Sequence, residues 1–135
     1  MNSYNGFTPS QRMKAYKWLM NEYAIGGRIK PSKCDSCAIT EGVIEPHSEN
    51  YGEPYGNHIG QYGLCYRCHM MLHCRFSSPK VFTQYAQDVA NGKQYEPFYK
   101  RDFITFKQHH LIGTTKPTAI HVFNSTNLLS VIAGN

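Results

Sequence analysis

Leu64-Cys65-Tyr66-Arg67-Cys68-His69-Met70-Met71-Leu72-His73 places two kinds of metal ligand within ten residues. Cys65 and Cys68 have two residues between them, a spacing that lets one tight turn aim both sulfurs at a single ion. Cys34-Asp35-Ser36-Cys37 repeats the spacing upstream, across a spacer of 27 residues. Two such knuckles complete a tetrahedral shell for structural Zn²⁺. A redox pair would open a helix in a strand–helix–strand setting, and none is evident. Cys74 is left over and reads as a buried helix residue.

His69 and His73 stand four residues apart, so on a helix they share one face. With the thiolates of Cys65 and Cys68 turned to zinc, the two imidazoles point to a second cation. The alternative is that His73 completes the zinc site or packs in the core. The spacer must loop out and return, and it carries His47 and His58. His47, at the end of a strand, can then face His69 and His73 across a small cleft.

Working outward, Thr8-Pro9-Ser10-Gln11 is a capping-box helix start. It predicts a helix over 9–24, with Met13, Tyr16, Met20 and Tyr23 on its apolar stripe, Leu19 beside them, and Gly26-Gly27 as its stop. Arg12, Lys14 and Lys17 lie off that stripe, on a face suited equally to water or to phosphate. Residues 28–64 are loop-rich, with short strands near 42–44 and 61–64. A helix is expected over 66–76 and another from Pro79, burying Val81, Phe82, Tyr85 and Val89. A short one follows, capped by Asp102 and holding Phe103, Phe106 and Leu111. The single domain is drawn over residues 1–112, with the zinc and strand–strand–helix core at 34–76 and helices over 79–111. Residues 113–135 form a tail, its 120–123 stretch suited to an edge strand or a dimerisation arm.

The chain has 135 residues and a net charge of +5. Residues 1–33 carry +5, residues 34–76 carry −3 and residues 77–135 carry +3. Basic arms around an acidic middle suit a polyphosphate partner. The N-terminus lacks the apolar run of a signal peptide, and no stretch is long and apolar enough for a membrane span. The expected setting is a reducing cytoplasm without membrane contact, where paired cysteines bind metal.

Taken together, C-x2-C, a His near a strand end and L-C-x2-C-H-x3-H resemble the HNH endonucleases of phage and bacterial origin that carry a four-cysteine zinc site. The match spans about residues 34–76, with His47-Ser48-Glu49-Asn50-Tyr51-Gly52-Glu53-Pro54 against the family's H-H-x-D-Y-x-x-P. The resemblance implies an α+β chain. Its small ββα-metal core would be stapled by Cys34, Cys37, Cys65 and Cys68, with the N-terminal and C-terminal helices packed around it. It also implies a catalytic cation (Mg²⁺, or Mn²⁺, Ni²⁺ or Zn²⁺) on His47, His69 and His73, and hydrolysis of phosphodiester bonds in double-stranded DNA. A homodimer would suit double-strand cutting.

Two departures stand out. Ser48 holds the position of the family's general base, and a hydroxyl cannot take a proton from water near neutral pH. The family's middle Asn aligns near Gly60, in a loop longer than usual. Three solutions remain open. His58 supplies the base; or His47 is the base, with Glu45 or Glu49 at the metal; or the site is inert and the protein only binds. For phosphate contact the candidates are Arg67, Arg75, Lys100 and Arg101, although residues 95–103 also read as a helix connector. Tyr51, Tyr55, Tyr62 and Tyr66 suit base stacking or core packing. His109, His110 and His121 read as surface or interface residues.

Overall fold

The computed structural model describes residues 1–113, 119–121 and 128–134. It is an α+β chain built on one antiparallel hairpin and the helix that follows it. Strand β1 (Ile44–His47) pairs with β2 (Tyr62–Cys65), Ile44 lying opposite Cys65 and His47 opposite Tyr62. Helix α2 (Tyr66–His73) starts without a loop, because Cys65 both ends the strand and caps the helix. The sequence predicts this helix to residue 76. It stops earlier, because the amides of Cys74 and Arg75 turn back to the carbonyls of Met71 and Leu72 at 3.1 and 3.2 Å. That tightened turn carries Arg75 back toward the strands.

Helix α1 (Pro9–Ile25) begins with the expected capping box: Gln11 N–H donates to Thr8 Oγ1 at 3.2 Å and Thr8 N–H to Gln11 Oε1 at 2.8 Å. Its buried face differs from the predicted stripe. Ala15 and Leu19 are buried, whereas Met13 and Tyr16 are exposed. The helix docks locally, through Leu19 on Ile59 and Gly60, rather than along its length. Gly60 has φ +61°, and a Cβ there would meet Leu19 Cδ2 at 2.6 Å. The side chain that the family resemblance expects near this position therefore has no room.

Helix α3 (Pro79–Ala90) buries Phe82, Tyr85, Ala86 and Val89. β3 (Gln94–Tyr95) follows, then α4 (Phe103–Lys107), capped by Asp102, whose Oδ1 accepts from Thr105 N–H at 3.0 Å. α4 runs on into a π-helical turn at Gln108–Ile112. Strand β4 (Ala119–His121) pairs antiparallel with β3, and α5 (Leu128–Ile132) packs on α3. Leu129 and Ile132 belong to the main core, which thus extends beyond the boundary drawn at residue 112. Val122 and Phe123, expected in the edge strand, lie outside the described residues.

That core closes Leu64, Met71, Leu72, Phe82, Tyr85, Val89, Phe106 and Leu129 around the four paired cysteines; Cys74 is buried there as expected, although it caps α2 rather than lying within it. Full burial of such a side chain stabilises by roughly 1.5–3 kcal/mol, so α2 is anchored by its apolar face as well as by its cysteines. Among the described residues no helix is long and apolar enough to cross a membrane.

Candidate metal centres

The sulfurs of Cys34, Cys37, Cys65 and Cys68 all lie within 4.8 Å of one another, and all four residues are buried. Cys37 and Cys65 Sγ stand 3.8 Å apart. An ion with four sulfur bonds of about 2.3 Å has a tetrahedral edge of about 3.8 Å. In each knuckle the second cysteine's N–H donates to the first sulfur at 3.4 Å. Asp35 ties the first knuckle to β2: its N–H donates to the Gly63 carbonyl at 2.7 Å and its Oδ2 accepts from Gly63 N–H at 2.8 Å. Tyr85 OH is 3.1 Å from Cys68 Sγ. Hydrogen bonds from Cys37, Cys65 and Cys68 lower the Cys34 thiol, whereas Cys34, Cys37 and burial push Cys65 well up. Four thiolates together require a cation, and these four could hold one such as zinc.

The second cluster joins β1 to α2. Alternation along β1 buries Glu45 and His47 on one face. The one-turn spacing along α2 sets His69 and His73 opposite them. His47 Nδ1 lies 3.1 Å from His69 Nε2, which lies 3.1 Å from His73 Nε2. The other ring nitrogens of His47 and His69 are committed. His47 Nε2 meets Glu49 Oε2 at 2.5 Å and His69 Nδ1 meets Glu45 Oε1 at 3.0 Å.

Both carboxyls are ionised at neutral pH. Burial raises the Glu49 pKa, but bonds from His47, Tyr4, Asn5 and Arg75 outweigh it and hold it at about 2. Glu45 is likewise raised by burial and lowered further by His69 and Arg101. A carboxylate only accepts, so His47 Nε2 and His69 Nδ1 must carry the protons. His47 Nδ1 and His69 Nε2 are then bare lone pairs facing each other. Burial keeps His47 and His73 neutral, with His73 held down at about 3 by burial, then by His69 and His47. The ligand nitrogens of His47, His69 and His73 all lie within 4.8 Å of one another, so the three could hold a metal ion, whose tetrahedral N–N edge is about 3.3 Å. Carboxylates behind the ligating imidazoles are the usual outer support of such a site.

Both glutamates sit behind the imidazoles, so neither shares the point where the three nitrogens meet, contrary to the alternative that put Glu45 or Glu49 at the metal. His58 does not join the cluster either. The reversal of the loop brings its Nε2 to 2.8 Å from the Gly52 carbonyl. Ser48 and Gly60, the two departures from the family motif, are adjacent: Gly60 N–H donates to the buried Ser48 Oγ at 2.6 Å.

A cleft of about 390 Å³ opens over His69 and His73, walled by Arg12, Ser48, Tyr51 and Arg101. Arg101 is 73 % exposed and its Nε reaches Glu45 Oε2 at 2.5 Å; Lys100 beside it is exposed. The other two predicted phosphate contacts are buried. Arg67 Nη2 donates to the Glu96 carbonyl at 3.0 Å, Nη1 lies 2.6 Å from His110 Nε2, and the guanidinium stacks on Phe98. Arg75 is spent on Tyr4, Leu72 and Glu49. His110 is accordingly half-buried, its ring against Arg67, Tyr85 and Phe106. Of the tyrosines, Tyr51 and Tyr66 line the cleft, and Tyr55 packs on Trp18.

Tyr4 escaped the sequence reading altogether. Its one legible sign was Asn5-Gly6, a tight-turn dipeptide, and both residues have positive φ between the bonded Tyr4 and Phe7. No family model matches the chain, and comparison with curated proteins and with solved structures finds no match.

Proposed function

We propose that the chain is a metal-dependent endonuclease of the HNH kind that hydrolyses phosphodiester bonds in DNA at the imidazole cleft. One observation carries this reading: the ligand nitrogens of three histidines lie within 4.8 Å of one another beside an open cleft, and carboxylates hold the outer N–H groups of His47 and His69. His47, His69 and His73 would hold the cation. Neutral imidazoles suit Zn²⁺, Ni²⁺ or Mn²⁺ better than Mg²⁺, which prefers oxygen. When bound, such an ion neutralises charge on a phosphate oxygen and acidifies water.

The chain's own groups would do the rest. Arg101 spends Nε on Glu45, and its two Nη groups have no bond among the described residues, so they can take a phosphate. Arg12, also on the cleft wall, adds positive charge. Glu45 and Glu49 fix the imidazole tautomers. The structural zinc on the four cysteines holds the start of α2, and with it the ring of His69.

A second reading, a nucleic-acid-binding protein of the same architecture without hydrolysis, is favoured by Ser48. Its hydroxyl stands where the family has its proton acceptor and is already occupied by Gly60 N–H. Plasmid nicking with Mg²⁺, Mn²⁺ or Ni²⁺ separates the two. The nuclease reading expects nicking that His69→Ala lowers at least a hundredfold. A salt-dependent gel shift with no cutting in any metal would establish the second reading instead.

A further inference from the structure

Tyr4 lies outside the strand–strand–helix unit, on an arm that precedes α1, yet it is buried against the imidazoles. Its ring centroid is 4.7 Å from that of His73 and 5.8 Å from that of His47. Its hydroxyl donates to Glu49 Oε2, the same oxygen that receives His47 Nε2–H. The phenol oxygen accepts from Arg75 Nη1 at 2.6 Å. Glu49 Oε1 takes Arg75 Nη2 and Asn5 Nδ2, each at 2.9 Å. Glu49 therefore receives four donors, two of them from the arm. The turn that presents them is closed by Tyr4 and Phe7, whose backbones bond to each other at 2.9 and 3.0 Å.

We propose that Tyr4 is a positioning residue of the imidazole site: its hydroxyl holds the Glu49 carboxylate against His47, so that the N-terminal arm sets the site's affinity for a divalent cation. The physical reason is proton bookkeeping on the ring. His47 offers Nδ1 as a lone pair only while Nε2 keeps its proton, and Glu49 holds that proton there. A carboxylate two residues beyond the end of the strand can rotate away unless something pins it. Tyr4 and Arg75 pin Oε2 and Oε1 from the far side. Removing the hydroxyl leaves Glu49 Oε2 with His47 alone and Arg75 Nη1 with the Leu72 carbonyl alone, which loosens the ring that must meet the ion.

This inference rests on the metal-site reading above, and calorimetric titration of the zinc-loaded full chain with Ni²⁺ tests the two apart. The wild type takes one Ni²⁺ that His69→Ala does not. Tyr4→Phe keeps the ring on His73 and removes only the hydroxyl, and is expected to weaken Ni²⁺ roughly tenfold or more. Glu49→Gln weakens it by a similar factor, and the double variant is no worse than the weaker single one, because both act through one proton. A merely structural Tyr4 would lower the melting temperature and leave Ni²⁺ affinity unchanged in the folded protein, and that result overturns the proposal. Additive effects of the two substitutions overturn it as well. Absence of any Ni²⁺ binding that depends on His69 sinks the metal-site reading and this inference with it.

Discussion

A guanidinium serves a phosphate only if its donors are not already spent. Arg67 and Arg101 are both cations close to the site in sequence, and burial separates them. Arg67 is 4 % exposed and ties α2 to residues 96 and 110 through its two Nη groups. Truncation to Ala leaves a cavity under Phe98 and an orphaned carbonyl. It is expected to cost about 2–4 kcal/mol in urea unfolding without changing the salt dependence of DNA binding. Arg101→Ala should do the reverse, changing stability by less than about 1 kcal/mol and lowering the slope of log K against log salt by about 1. Equal salt slopes for Arg101→Ala and wild type would remove Arg101 from the proposed DNA interface. The same logic relocates Glu45 and Glu49. As sequence they are acidic residues in a chain whose charge pattern suggests a polyanion; in the fold they are spent on imidazoles and arginines.

At the scale of elements, α2 is the piece on which everything turns. Eight residues are too few for a helix to be stable alone. Its start is held by Cys65 and Cys68, its inner face by Met71 and Leu72, and its outer face presents the imidazoles. With zinc on the four cysteines, as proposed, stripping it would leave buried thiols that cannot all ionise, and the helix start would lose its anchor. Chelation is expected to lower the melting temperature by more than 10 °C and to reduce helical circular dichroism, with recovery on adding Zn²⁺. Cys34→Ser should mimic chelation. A chelated protein with an unchanged melting curve would mean that the apolar core alone carries this unit.

On the whole-molecule scale, buried histidines link stability to pH. His110 is held down at about 3, chiefly by burial, then by Arg67 and His109. In the unfolded chain a histidine takes its proton near 6.5. Between these values the unfolded state binds more protons, so stability rises with pH across the window and falls as the solution is acidified from about 6.5 toward 3. Acid also loosens metal sites, so the comparison needs His110→Gln, which removes the titrating ring. Urea midpoints at pH 7.5 and 5.5 should drop further for wild type than for this variant. Parallel drops would show that His110 does not contribute to the pH dependence.

The cysteine frame, the capping box of α1, the cap of α4 and the shared face of His69 and His73 were all legible in the sequence. Each is a local rule: spacing along a turn or helix decides which atoms can meet. The pairing of His47 with the α2 imidazoles was inferred from the return of a long spacer, and the register of β1 and β2 places it there. What spacing could not decide was occupancy. Whether Arg67 and Arg75 face solvent, whether His58 reaches the cleft, and whether Tyr4 touches anything depend on where distant segments pack. Sequence alone determined which residues could be ligands, because bond geometry is local. Only the tertiary structure decided which donors were free to serve and which were spent, because hydrogen-bond partners and burial are supplied by segments tens of residues away.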